Sequence, residues 1–233
     1  MRTIRKEMVE SQLYELRDSL GGGCLPVARK QLWVMYNERN YSGIVKFVRD
    51  SMNLDLRIRV GLANVDSRTQ APAWVEMPSP MPPLGTPAFK QTLATLFLCK
   101  SFLSKANFDQ VILAVAHEIS HIVLNGTNHA LRDQETAVDL TAMLLGYRDF
   151  YVAGCESIRI ERKWFSRAET HAHQLYGYLT PDEVRYADRI LVRRFGLSRF
   201  RSWYRARTIA LLSILAFLAA FSLWVGLLGN RDL

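Results

Sequence analysis

The stretch 108–124 constrains the chain more than any other: it is apolar on nearly every side of a helix, yet carries His117, Glu118 and His121 in its second half. Val111, Ile112, Val115, Ile119 and Ile122 fill most of the surface that the histidines leave, and a helix hydrophobic all round is a buried one. Asn107 with Gln110 makes a capping box at its start, and Asn125-Gly126 makes a stop at its end. Burying two imidazoles and a carboxylate without partners is costly. Either they are satisfied core residues, with the Glu in a salt bridge, or they share an ion.

The spacing favours the ion. Four residues apart on a helix, His117 and His121 lie about 40° apart round the axis and one turn from each other, so both rings can reach a single point. Glu118, rotated by roughly 100° from His117, can meet a water there without binding the ion itself. His-Glu-x-x-His on a helix is the arrangement of a hydrolytic zinc site, in which neutral imidazoles hold Zn2+, the metal acidifies a water and the carboxylate takes its proton. Catalytic zinc usually takes three protein groups. The next helical stretch, 133–145, offers Glu135 and Asp139 at i and i+4, hence on one face. The short polar loop 126–132 lets the two helices pack as an antiparallel pair, which brings Glu135 to the ion as third ligand. Asp139 then accepts the other ring N–H of a ligand histidine and fixes its tautomer. A solvated acidic face is the competing reading, but Val138, Leu140, Ala142, Met143 and Leu144 surround both acids with apolar neighbours.

His117-Glu-x-x-His121 followed by Glu135-x-x-x-Asp139 resembles the gluzincin metallopeptidases. The longer run from Glu135 through Asp139 to Gly146-Tyr147 is similar to the matching segment of the membrane-embedded prenyl-protein and heat-shock endopeptidases, and to that of the small repressor-cleaving metallopeptidases of mobile elements. The resemblance covers about residues 90–150 and departs from the membrane-embedded pattern in its short gap between His121 and Glu135. It implies a zincin-like fold, Zn2+ as cofactor and a protein or peptide as substrate. A metzincin pattern would need Gly and His where this chain has Leu124 and Thr127, so His129 reads as a loop residue.

Other segments fall round this centre. Residues 4–20 read as a surface helix ended by Gly21-Gly22-Gly23, and 28–52 as a second helix with a break near Tyr41-Ser42-Gly43. Leu54, Leu56, Ile58, Val60 and Leu62 alternate with polar residues or glycine as in a strand with one dry face. Residues 72–87 hold six of the eight prolines, which excludes regular helix and central strand. They form either a loop at the mouth of the site or a plain connector. Residues 92–98 read as a strand ahead of the zinc helix. By the resemblance, Leu93 to Phe97 pairs with an extended substrate, a core strand with no free edge being the alternative. Thr180-Pro181-Asp182-Glu183 is a helix start with a capping box, and the helix runs to Phe195. A donor opposite the metal is needed for an oxyanion, and His171, His173, Tyr147, Tyr151 and Tyr178 are the candidates. For the two histidines the favoured reading is surface residues of a helical segment.

The net charge of +8 invites nucleic acid as a partner, but its location argues against it: 185–207 hold eight arginines against Asp188 alone. This belt leads into 209–228, a run of 20 residues without a charge. As a helix that run spans the roughly 30 Å hydrocarbon core of a bilayer. Trp203, Tyr204 and Trp224 stand where interfacial aromatics are expected, and the positive-inside rule puts the preceding domain in the cytoplasm. Three scattered cysteines suit reduced thiols.

The expectation is an α+β, mainly helical zincin-like domain with a small sheet and one C-terminal transmembrane helix. A helical region occupies 1–53, the metallopeptidase core 54–196, a basic juxtamembrane segment 197–208 and the membrane helix 209–228. The expected activity is zinc-dependent hydrolysis of peptide bonds by a tail-anchored protein with His117, His121 and Glu135 as ligands, Glu118 as base and Asp139 behind them. The alternative is a membrane-tethered regulatory or binding protein of the same fold with little proteolysis.

Overall fold

The computed structural model describes residues 5–64, 71–162, 169–175 and 177–197. In chain order the elements are α1 (Lys6–Ser19), α2 (Arg29–Asn37), α3 (Tyr41–Ser51), β1 (Arg57–Ala63), β2 (Ala73–Glu76), α4 (Pro87–Gln91), β3 (Leu93–Cys99), α5 (Lys100–Leu103), α6 (Phe108–Gly126), α7 (Glu135–Ala142), α8 (Arg148–Gly154), β4 (Glu156–Arg162), β5 (Glu169–Leu175) and α9 (Pro181–Arg193). The mixture of helices with a small three-stranded sheet and a separate hairpin is α+β. The expected transmembrane helix at 209–228 lies outside the described residues, as does most of the basic segment before it. Among the described residues no helix is long and apolar enough to cross a membrane.

Helix α6 is the axis of the molecule, with residues 110–120 buried without interruption. Its capping box closes as the sequence requires, Asn107 Oδ1 accepting from Gln110 N at 3.0 Å and Gln110 Oε1 from Asn107 N at 2.9 Å. The helix stops slightly beyond the expected signal. Asn128 takes the left-handed conformation (φ 48°), and His129 N–H reaches back to the Leu124 carbonyl at 2.9 Å, which closes the last turn. Helices α2, α3, α7 and α8 and strand β2 all pack on α6.

The sheet has the order β1-β3-β2, with β3 parallel to β1 and antiparallel to β2. Ala94, Leu96 and Leu98 of β3 are buried, while Leu93, Thr95 and Phe97 alternate to the other face. The central place of β3 corrects the expectation that Leu93 to Phe97 offers a free edge, because both its edges are already hydrogen-bonded. The outer strands are instead β1 and β2, and β2 lies inside the proline-rich segment. Pro72 and Pro78 bracket these four residues, and an edge is where a strand so bounded can exist. β1 starts at Arg57, later than the alternation suggests. Leu54 and Leu56 are buried ahead of it, but Leu62 near its end is 53% exposed.

The long second helix divides at residues 38–40, where Arg39 has φ 53° and Asn40 caps α3 through Gly43 N at 2.8 Å. α1 is more than a surface helix: Val9, Leu13 and Leu16 are fully buried where it packs on α7 and α9. After α7 the chain makes one wide π-turn, Met143–Tyr147, with Gly146 at φ 104°. A side chain there would be strained and would meet the Leu25 carbonyl, so only glycine fits.

Glu183 joins the two ends of the described fold. It completes the Thr180 capping box and accepts from Arg5 Nε at 2.8 Å and Nη2 at 3.0 Å. Burial alone would raise its pKa, but Arg5 and the Thr180 N–H outweigh burial and hold it at about 2. A carboxyl depressed in the folded state contributes stability that is complete above its unfolded pKa, near 4.5, and is lost as pH falls toward 2. The Arg5 side chain is half exposed, so solvent screens the pair, and Arg5→Met is expected to lower stability at pH 7 by about 1 kcal/mol. It should also flatten the acid limb of urea-unfolding free energy between pH 4.5 and 2. A limb as steep as in the wild type would contradict the assignment.

Candidate metal centre

The short α6–α7 connection folds the two helices against each other and sets Glu135, the first residue of α7, opposite the histidine face of α6. Glu135 Oε2 lies 3.2 Å from His117 Nε2 and 3.4 Å from His121 Nε2. The three side chains offer ligand atoms within 4.8 Å of one another, the arrangement that a single metal ion needs. The two imidazole rings stand nearly perpendicular, with centroids 5.0 Å apart.

The donor set fits a zinc ion on one further observation. Glu135 Oε2 is buried and, among the described residues, finds no well-directed hydrogen-bond donor, although two ring nitrogens lie 3.2 and 3.4 Å away. A buried carboxylate oxygen without a hydrogen-bond partner is rare and calls for a cation. Two imidazole nitrogens and one carboxylate oxygen are a familiar three-residue zinc set that leaves a position open. The local charge agrees. Burial works against an imidazolium at His117, yet the Asp139 and Glu135 carboxylates overcome it and raise that pKa to about 10. In turn His117, and then His121, hold Glu135 down at about 2. The pocket is organised to surround positive charge.

Asp139 stands one turn beyond Glu135 and is completely buried. Its Oδ1 lies 2.8 Å from His117 Nδ1 and accepts from the Tyr151 hydroxyl at 2.9 Å. Its Oδ2 accepts from the backbone N–H groups of Tyr178 (2.6 Å) and Leu179 (3.1 Å). With Nδ1 bonded to this carboxylate, Nε2 is the ring atom of His117 that faces Glu135, and a metal binding there would displace its proton. Gly177 makes the approach possible. At φ 92° it holds a conformation that side chains rarely adopt, and a Cβ there would sit 3.0 Å from Asp139 Oδ2.

Glu118 lies on the same helix, 8% exposed. Burial pushes its pKa up, His117 and His121 pull it down, and a backbone hydrogen bond from Val75 on β2 stabilises the charged form. The carboxylate thus sits between the histidine face and the edge strand, which sequence alone placed elsewhere.

The five candidates for an oxyanion donor separate. Tyr147 is buried, with its hydroxyl 2.5 Å from Ser51 Oγ, and Tyr151 is committed to Asp139. Tyr178 is 57% exposed and its ring stacks on His117 at 5.6 Å. Its phenol pKa is raised by partial burial and then by Glu135, Glu118 and Asp139, which places it in their field as a neutral donor. His171 and His173 belong to β5, paired with Ile160 and Ile158, which corrects the expectation of a helical segment: pairing with β4 makes it a strand. Their side chains lie outside the described residues. His129 bridges Ser19 Oγ (2.7 Å) and the Leu131 N–H (3.0 Å), a structural loop role. No protein family, curated protein or solved structure matches the chain.

Proposed function

We propose that this protein is a zinc-dependent metallopeptidase of gluzincin type, with His117, His121 and Glu135 as the metal ligands. The observation that carries the reading is the Glu135 Oε2 atom of α7, buried with no well-directed donor among the described residues and set between two histidine Nε2 atoms of α6, the helix that also presents Glu118. Zinc bound there supplies the Lewis acidity that activates water and polarises a carbonyl. Glu118 takes the proton of the attacking water and passes it to the departing amide nitrogen. Its burial keeps its basicity above that of an ordinary carboxylate. The Tyr178 hydroxyl donates to the carbonyl oxygen as negative charge develops on it. Asp139 keeps His117 in the tautomer that binds metal. An extended peptide adds to the outer edge of β2, which pairs with no other strand among the described residues and whose Val75 N–H reaches Glu118, and this edge takes the role first expected of Leu93 to Phe97.

The arginine belt and the uncharged run 209–228 support a membrane-tethered enzyme acting on membrane-proximal protein segments. Arg185, Arg189 and Arg193, four apart and exposed on α9, form an outward stripe suited to anionic headgroups. The deciding experiment is metal analysis of the full-length chain. The expected result is one zinc per chain, lost or weakened by at least tenfold in Glu135→Ala, with cleavage of an unfolded protein by the wild type only. Wild-type protein without stoichiometric zinc would return the histidines to the core. Zinc without cleavage would favour a tethered binding protein.

A further inference from the structure

The third ligand stands at a weak point of the structure. Glu135 is the first residue of α7, its side chain is 41% exposed, and Gln134 before it makes no side-chain cap. Helix ends without a cap leave several N–H groups unsatisfied and fray. A carboxylate on an unrestrained first turn would wander by more than metal coordination tolerates. Something from outside the helix must hold that turn.

That element is α1, and the residue is Gln12. It is buried on the face that also carries Val9, Leu13 and Leu16, and a buried amide among such neighbours needs a specific polar partner. It has two. Gln12 Nε2 donates to Gln134 Oε1 at 2.6 Å, and Gln12 Oε1 accepts from Thr136 Oγ1 at 3.2 Å. Gln134 and Thr136 are the immediate neighbours of Glu135 on either side. One amide therefore grips the chain before and after the ligand and supplies from another helix the restraint that α7 lacks.

We infer that Gln12 is a positioning residue for the Glu135 carboxylate, so that the N-terminal helix sets the strength of metal binding. This rests on Glu135 being a ligand. A purely structural amide would lower stability when removed and leave metal affinity alone, so the two roles separate by measuring both. The experiment uses the full-length chain, purified in detergent, with zinc affinity read by competition with a chromophoric chelator and Tm read in parallel. Gln12→Ala is expected to weaken zinc binding about tenfold, in the range that mutating supports of metal ligands produces. Val9→Ala, which loosens the same helix by packing alone, is expected to lower Tm without moving the affinity. In the Glu135→Ala background, Gln12→Ala should cause no further weakening, because its effect passes through that carboxylate. An affinity loss in Gln12→Ala no larger than in Val9→Ala would overturn the inference, as would full additivity with Glu135→Ala. An affinity unmoved by Glu135→Ala itself would instead overturn the ligand assignment beneath it.

Discussion

Glu118→Gln is expected to reduce peptide hydrolysis by about a thousandfold while leaving zinc at one per chain. General-base catalysis contributes roughly 10²- to 10⁴-fold, and an amide of the same shape can still accept from the Val75 N–H while taking no proton. The substitution should not cost stability. Burial raises the Glu118 pKa, which means that its charged form is disfavoured in the metal-free fold. Replacing it with a neutral isostere therefore removes the cost of burying a charge at neutral pH, and the Tm of metal-free protein should stay level or rise. Turnover that survived in Glu118→Gln would remove this residue from the chemistry. Lost turnover together with lost zinc would make it a ligand.

Asp139→Asn should have the largest combined effect on stability and metal. All four bonds to Asp139 come from groups able to donate, which suits a carboxylate and no neutral amide. If the new NH2 takes the place of Oδ2, it confronts the backbone N–H groups of Tyr178 and Leu179 at donor–donor distance. If it takes the place of Oδ1, it faces His117 Nδ1 and the Tyr151 hydroxyl. His117 must then accept at Nδ1 and carry its proton on Nε2, the atom turned to Glu135. Either orientation leaves buried groups unpaired at about 1–3 kcal/mol each. The expected outcome is a loss of about 3 kcal/mol, a fall in Tm of roughly 6–12 °C, and zinc binding weaker by 10- to 100-fold. Calorimetry and chelator competition on one preparation read both. Wild-type zinc affinity in Asp139→Asn would show that the tautomer of His117 is fixed by something else.

What the sequence made legible is local. The all-round apolar run, its Asn107–Gln110 box and the Thr180–Glu183 box each depend on residues a few positions apart, and each stands where the pattern placed it. The meeting of Glu135 with His117 and His121 followed from one short loop between two helices. What stayed hidden depends on distant pairing. Strand order puts β3 at the centre and β1 and β2 at the edges, and no periodicity within 92–98 encodes which neighbours a strand will have. β5 carries the sequence Glu-Thr-His-Ala-His-Gln-Leu, with no apolar alternation to mark a strand, and its pairing with β4 determines its conformation. The backbone donors to Asp139 come from a segment 39 and 40 residues later whose local signal, a single glycine, resembles any turn. Gln12 looked like one polar residue of a charged helix, because its partners are 122 and 124 residues away.

Those separations have a consequence for the order in which the protein is made. The histidines of α6 leave the ribosome early, but the donors that lock Asp139 lie at 178 and 179, and the helix that α1 docks against ends at Arg193. Closing loops of this length is slow and must precede the contacts that reward it. Throughout synthesis, then, the nascent chain holds a buried-type helix but no assembled His117–His121–Glu135 cluster. Competence arrives only when the last described helix has emerged, at the threshold of the uncharged run at 209–228. The proposed metal site, timed in this way, stays unassembled until synthesis has reached that uncharged run.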